Sequence, residues 1–131
     1  MLANIGVREH MTANPLVFSP ELDVFEAIRQ LIDHKITGAP VVDAKGKLVG
    51  VFSELDCMKL AVEASYHEGM PGKVGDNMTT DFKAVGGDTS ILEAAEIFAK
   101  SPLRNLPVVD GSHVVGILSR VDVLKAVIKI W

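Results

Sequence analysis

Gly50-Val51-Phe52-Ser53-Glu54-Leu55-Asp56 returns later in the chain as Gly116-Ile117-Leu118-Ser119-Arg120-Val121-Asp122. Ahead of the first copy stands Ala39-Pro40-Val41-Val42-Asp43, and ahead of the second Leu106-Pro107-Val108-Val109-Asp110. Further back, Met11-Thr12 is matched by Met78-Thr79. The prolines lie 67 positions apart and the aspartates 66, so the second copy is one residue shorter in the turn between. A repeat this long marks a duplicated supersecondary unit. Two copies of one unit can close a pair of related clefts where they meet.

Working outward from the repeat, the chain divides into residues 1–64, a connector 65–73 rich in Gly and Pro, and residues 74–131. Each repeat carries the same pattern. A short strand is expected at Leu16-Val17-Phe18 and again near Phe82 to Val85. A helix follows, introduced by Asp23 with Glu26 in one copy and by Ser90 with Glu93 in the other, both spaced as capping boxes. Val24, Ile28 and Leu31 mark one helical face, and Ile91, Ala95 and Phe98 mark its counterpart. Two strands come next, Ala39 to Val42 and Lys47 to Phe52, joined by a turn at Asp43 to Gly46. The second copy has Leu106 to Val109 and His113 to Leu118, with the turn at Asp110-Gly111-Ser112. A last helix starts at Ser53 or Ser119. The fold class is α/β, β-α-β-β-α twice.

The length of 131 residues fits one compact domain or two halves sharing a core. Either half, at about 60 residues, would be marginal alone. With 48% hydrophobic residues the halves can bury apolar faces on each other. A formal charge of −4 and a pI near 5.5 argue against general nucleic-acid binding, which needs a basic footprint, though not against a local phosphate site. One cysteine, Cys57, cannot form an internal disulfide and suits a reducing compartment. The first ten residues lack the apolar stretch of a signal peptide. No apolar run reaches the roughly 18 residues a membrane span needs. A soluble cytoplasmic protein with no membrane partner is therefore expected.

The chemistry sits in Gly-apolar-apolar-Ser-x-x-Asp, where a strand becomes a helix. Free N–H groups point out of the first helical turn, and the helix dipole there favours anions. The serine can cap the helix or donate to a phosphate. The aspartate can accept two hydrogen bonds, and a ribose diol is a natural partner for such a carboxylate. A lone Ser-x-x-Asp is better explained as a cap. Two copies in register, both keeping Ser and Asp after a glycine and an apolar strand, shift the balance toward a ligand.

As a set, the Met-Thr start, the strand-opening proline and the Gly-x-x-Ser-x-x-Asp end resemble a tandem pair of cystathionine-beta-synthase-type (CBS) domains, a Bateman module, over nearly the whole chain. The resemblance implies two repeats packed about a pseudo-twofold axis through their sheets as one compact module. It implies two clefts that bind adenosine nucleotides: AMP, ADP, ATP or a related compound such as S-adenosylmethionine. In such modules the aspartate holds the ribose, the residue three before the strand proline faces phosphate, and the opening strand of the other repeat lies against adenine. Carried onto this chain, one cleft uses Asp122, Ser119, Arg104 and the segment Thr12, Asn14 and Leu16. The other uses Asp56, Ser53, Thr37 and the segment Thr79, Phe82 and Lys83. The Asp122 cleft can also draw on Arg120, whose fork suits phosphate. Glu54 stands in the equivalent place of the other cleft, where a carboxylate repels phosphate. One strong site and one weak or differently specific site are expected. An exposed, solvated charge is the competing reading of Arg104 and Arg120.

The remaining candidates carry less. His10, His34, His67 and His113 lack metal-like spacing. Cys57 is replaced by valine in the second copy and reads as a packing residue. Gly86-Gly87-Asp88 reads as a turn before a helix. Met58, Met70 and Met78 imply no cofactor box. Val121 to Trp131 is apolar on most sides and either packs between repeats or forms a subunit interface. No nucleophile, base and orienting group fall together, so no enzyme is expected. The expected function is regulatory sensing of an adenosine nucleotide by a homodimer that signals to an unidentified protein effector, with no required cofactor. The alternative is a constitutive interaction or dimerisation module whose clefts hold no physiological nucleotide.

Overall fold

The computed structural model describes residues 1–67 and 72–131; Glu68, Gly69, Met70 and Pro71 of the expected connector lie outside them. After two short 3-10 turns, Leu2–Asn4 and Val7–Glu9, come β1 (Thr12–Ala13), α1 (Val24–His34), β2 (Gly38–Val42), β3 (Leu48–Ser53) and α2 (Glu54–Tyr66). Then follow α3 (Val74–Asn77), β4 (Val85–Gly86), α4 (Ile91–Ala99), β5 (Asn105–Asp110), β6 (His113–Ser119) and α5 (Arg120–Ile130). The expected α/β class holds.

Contacts group the chain into two units that cut across the sequence repeats: Leu16–Phe82, and Met1–Pro15 together with Lys83–Trp131. In the second of these, a sheet runs in the order β1-β6-β5-β4, with β1 antiparallel to β6 (Thr12 opposite Ile117) and β4 parallel to β5. The other unit follows the same plan with thinner edges. Its hairpin β2–β3 is flanked by a parallel bridge from Phe18 to Val41 and an antiparallel bridge from Thr79 to Val51. Each sequence repeat thus gives its opening segment to the unit built on the other. Backbone bonds fix this exchange: Val7 and Arg8 donate to Thr89 and Gly87, and Val74 and Gly75 donate to Leu22 and Pro20.

Each unit has its own core. One gathers Phe18, Val24, Leu31, Val41, Phe52 and Val74; the other gathers Val7, Ile91, Phe98, Leu106, Val108 and Leu118. Val7 and Val74, both completely buried, are contributed by the exchanged segments. Phe18 and Phe52 meet edge to face with centroids 6.2 Å apart, a geometry worth about 0.5–1.5 kcal/mol beyond burial.

The repeat's first glycine has a packing reason. A Cβ on Gly50 would stand 3.0 Å from the Thr79 carbonyl oxygen and run into the Met78 side chain. A Cβ on Gly116 would stand 3.0 Å from the Thr12 carbonyl oxygen and run into Met11. The recurring glycine and the recurring Met-Thr are therefore two sides of one close approach.

Some local expectations shift. The strand expected at Leu16-Val17-Phe18 reduces to the Phe18 bridge, since Pro15 and Pro20 bracket it and supply no N–H to extend a ladder. The strand expected near Phe82 to Val85 is Val85–Gly86, closed by the Thr89 hydroxyl, which accepts from the Gly86 amide at 3.0 Å. Helix α2 continues through Ser65 and Tyr66, because the helix breakers come only after them. At α1 only half of the capping box forms: Asp23 accepts from the Glu26 amide, while the Glu26 carboxylate turns to Arg29. The faces of α1 and α4 bury Ala27 and Ala94 more fully than Ile28 and Ala95.

Candidate functional site

Both Ser-x-x-Asp segments are full capping boxes. Ser53 precedes α2: its hydroxyl accepts from the Asp56 amide at 3.4 Å, and its own amide donates to Asp56 Oδ2 at 2.9 Å. Ser119 precedes α5 with the same bonds at 3.1 and 2.8 Å. Capping engages one carboxylate oxygen, Oδ2, and leaves the other uncommitted to the helix. A cap and a ligand contact are thus compatible on one aspartate.

The two aspartates differ at that other oxygen. Asp56 Oδ1 accepts the Thr79 hydroxyl at 2.9 Å, and Asp56 is 7% exposed. Asp122 is only partly buried, and among the described residues nothing donates to its Oδ1. Threonine 12, which pairs with Ile117 as Thr79 pairs with Val51, makes no bond to Asp122.

Most residues of each expected cleft fall within one unit. Asp122, Ser119, Arg104, Arg120, Thr12 and Asn14 share a unit, and so do Asp56, Ser53, Thr37, Thr79 and Phe82. Leu16 and Lys83 belong to the units of Asp56 and Asp122 respectively. Thr37 and Arg104 hold equivalent places: the amide opening α2 donates to the Thr37 carbonyl at 2.8 Å, and the amide opening α5 donates to the Arg104 carbonyl at 3.1 Å. Both residues therefore lie at a helix N-terminus. Asn14 adopts the left-handed region at φ 49°, where asparagine is among the better tolerated residues, and its amide donates to Val115.

Arg120 has a task that its sequence position does not reveal. Its Nε donates to the Leu103 carbonyl at 2.7 Å and its Nη2 to the Ser101 carbonyl at 2.9 Å. The guanidinium thus ties down the loop that carries Arg104. The Thr79–Asp56 bond is likewise invisible in the sequence, since it joins residues on different elements; the recurrence of Met-Thr is its only trace.

Burial raises the Cys57 thiol to about 11, with the Asp56 carboxylate adding to the shift, so it packs as a neutral side chain. Among the described residues no three His, Cys, Asp or Glu side chains gather as a metal site, and no helix is long and apolar enough to cross a membrane.

This architecture has known counterparts. Similarity at 34% identity links 94% of the chain to the A-adding tRNA nucleotidyltransferase of Aquifex aeolicus, of whose length the chain spans 14%. CBSX2 from Arabidopsis thaliana, solved in complex with AMP, superposes with a TM-score of 0.88 at 33% identity, covering 97% of this chain and 98% of that one. The CBS domain pair of protein MJ0100, solved with 5′-methylthioadenosine and S-adenosyl-L-methionine, gives a TM-score of 0.85 at 25% identity, covering 96% and 98%. The CBS domain model matches residues 7–63 and 72–129, so both repeats qualify, and the chain belongs to the CBS domain family.

Proposed function

We propose that this chain is a regulatory module that senses an adenosine-containing nucleotide at the start of α5. Asp122 would hold the ribose diol, Ser119 and the first-turn amides would face the ligand, and Arg104 would meet phosphate. Thr12 and Asn14 would line the base. The observation that carries this reading is the Asp122 carboxylate: one oxygen caps the helix, and the other takes no hydrogen bond from the described residues. Support also comes from CBSX2 with AMP and from MJ0100 with its two adenosine compounds. AMP, ADP and ATP are the leading ligands and S-adenosylmethionine a further one. The reading is of a sensor rather than an enzyme.

A ligand shifts an equilibrium only by its difference in affinity for the two states. We assign the second state to altered packing or association, read by a protein effector. A homodimer is supported by two outward apolar stripes at equivalent places. Leu55, Met58, Val62 and Tyr66 line α2, and Val121, Leu124, Ile128 and Trp131 line α5 and its end; all are more than half exposed. The single cysteine suits a cytoplasmic location.

A thermal-shift panel of AMP, ADP, ATP, NAD, S-adenosylmethionine and cyclic di-AMP tests the reading. Ligand at a hundred times its dissociation constant adds about 2.7 kcal/mol of stability. A shift with one or two adenosine compounds is expected. No shift with any, on folded and ligand-free protein, would leave a constitutive interaction module instead.

A further inference from the structure

Asp56 and Asp122 hold the same place in the two repeats, yet among the described residues only Asp56 is closed by a neighbour. Its Oδ2 receives the amide of Ser53 at 2.9 Å and that residue's hydroxyl at 3.1 Å. Its Oδ1 receives the Thr79 hydroxyl at 2.9 Å, and the residue is buried. We propose that Thr79 is a latch on Asp56, so that the chain takes one nucleotide, at Asp122, although it carries the binding motif twice. This deepens the nucleotide reading and rests on it.

The chemistry is an exchange. Asp56 is buried beneath Thr79, so a ribose diol reaching its Oδ1 must take the place of the Thr79 hydroxyl, replacing one charge-assisted bond by another. The gain that makes a carboxylate a good ribose partner is then lost, a penalty of roughly ten- to hundredfold in affinity. Thr79 is held in place by backbone, since its amide and carbonyl both pair with Val51 at 2.9 Å. Its methyl and hydroxyl therefore have little room to withdraw. Thr12 has the same strand pairing to Ile117 but leaves Asp122 open, which makes the latch a property of one repeat only.

Calorimetric titration with AMP tests this. Wild type is expected to bind one AMP per chain. Thr79→Ala keeps the backbone pairing but removes the hydroxyl and leaves its space open over Asp56 Oδ1; it is expected to bind two, the second site having tightened ten- to hundredfold. Thr79→Ser is expected to stay at one. Two equal sites in wild type, or one site in a folded Thr79→Ala, would overturn the latch while leaving the nucleotide reading intact. No AMP binding to wild type would overturn both. Should Thr79→Ala fail to fold, amide spectra of wild type decide: at one equivalent of AMP, the signals of Ser119 to Asp122 are expected to move and those of Ser53 to Asp56 to stay. Equal movement of both sets would contradict the latch.

Discussion

At the scale of single residues, the repeat's glycines and its cysteine make opposite demands. Replacing glycine by alanine in a strand ordinarily stabilises it. Here Gly116→Ala is expected to cost about 1–3 kcal/mol, because the new methyl has the Thr12 carbonyl oxygen at 3.0 Å and the Met11 side chain in its way. The denaturant midpoint checks this; an unchanged or raised midpoint would refute the close approach. For Cys57 the folded value, about 11, lies above the ordinary 9.0. Burial therefore favours the neutral thiol, and its contribution is full below pH 9 and is lost as pH rises through 11. Relative to Cys57→Ala, wild type is expected to lose stability across that window, measured by denaturation at matched pH values. Equal pH profiles would refute it. The Ser-x-x-Asp caps were legible because a cap is a local, three-residue spacing. The closure of Asp56 by Thr79 was not, because it depends on the tertiary approach of a separate segment.

At the scale of elements, α1 and α4 were legible from a cap together with a helical periodicity, and α2 and α5 from their starting serines. Edge strands were less so. Phe18 and Val85 are reached by one or two bridges, and the length of such a strand is set by its partner and by flanking prolines rather than by its own residues. The apolar stripe on α5 belongs to this scale too. Its residues recur at 121, 124, 128 and 131, a single helical face, yet they are 55–78% exposed. If the proposed homodimer forms through this stripe, Leu124→Glu with Ile128→Glu is expected to give a folded monomer, read by light scattering after size exclusion with the circular dichroism unchanged. A persistent dimer would place the interface elsewhere.

At the scale of the whole molecule, the exchange of opening segments is legible only through the family resemblance, which sets Thr12 with Asp122 and Thr79 with Asp56; the repeats by themselves do not reveal it. Two copies in tandem suggest two halves folding on themselves. The Val7 segment is instead bonded to residues near Thr89, and the Val74 segment to residues near Leu22. A local pattern cannot specify this, since either copy of Met-Thr could face either glycine by composition alone. Val7→Ala and Val74→Ala should each cost on the order of 2 kcal/mol. By hydrogen exchange, Val7→Ala is expected to lower protection first in residues 83–131, and Val74→Ala first in residues 16–67. The reverse assignment would refute the exchange. The exchange also brings Thr12 into the unit of Asp122, and with it the proposed sensing site.

That site is tested most directly by the affinity for AMP of wild type and of Asp122→Asn, measured side by side by calorimetry. Asparagine can still accept from the Ser119 amide, so the variant should fold with a loss of about 1 kcal/mol or less. Its charge is gone, and AMP affinity is expected to fall tenfold or more. An unchanged affinity in the folded variant would contradict a nucleotide held by Asp122.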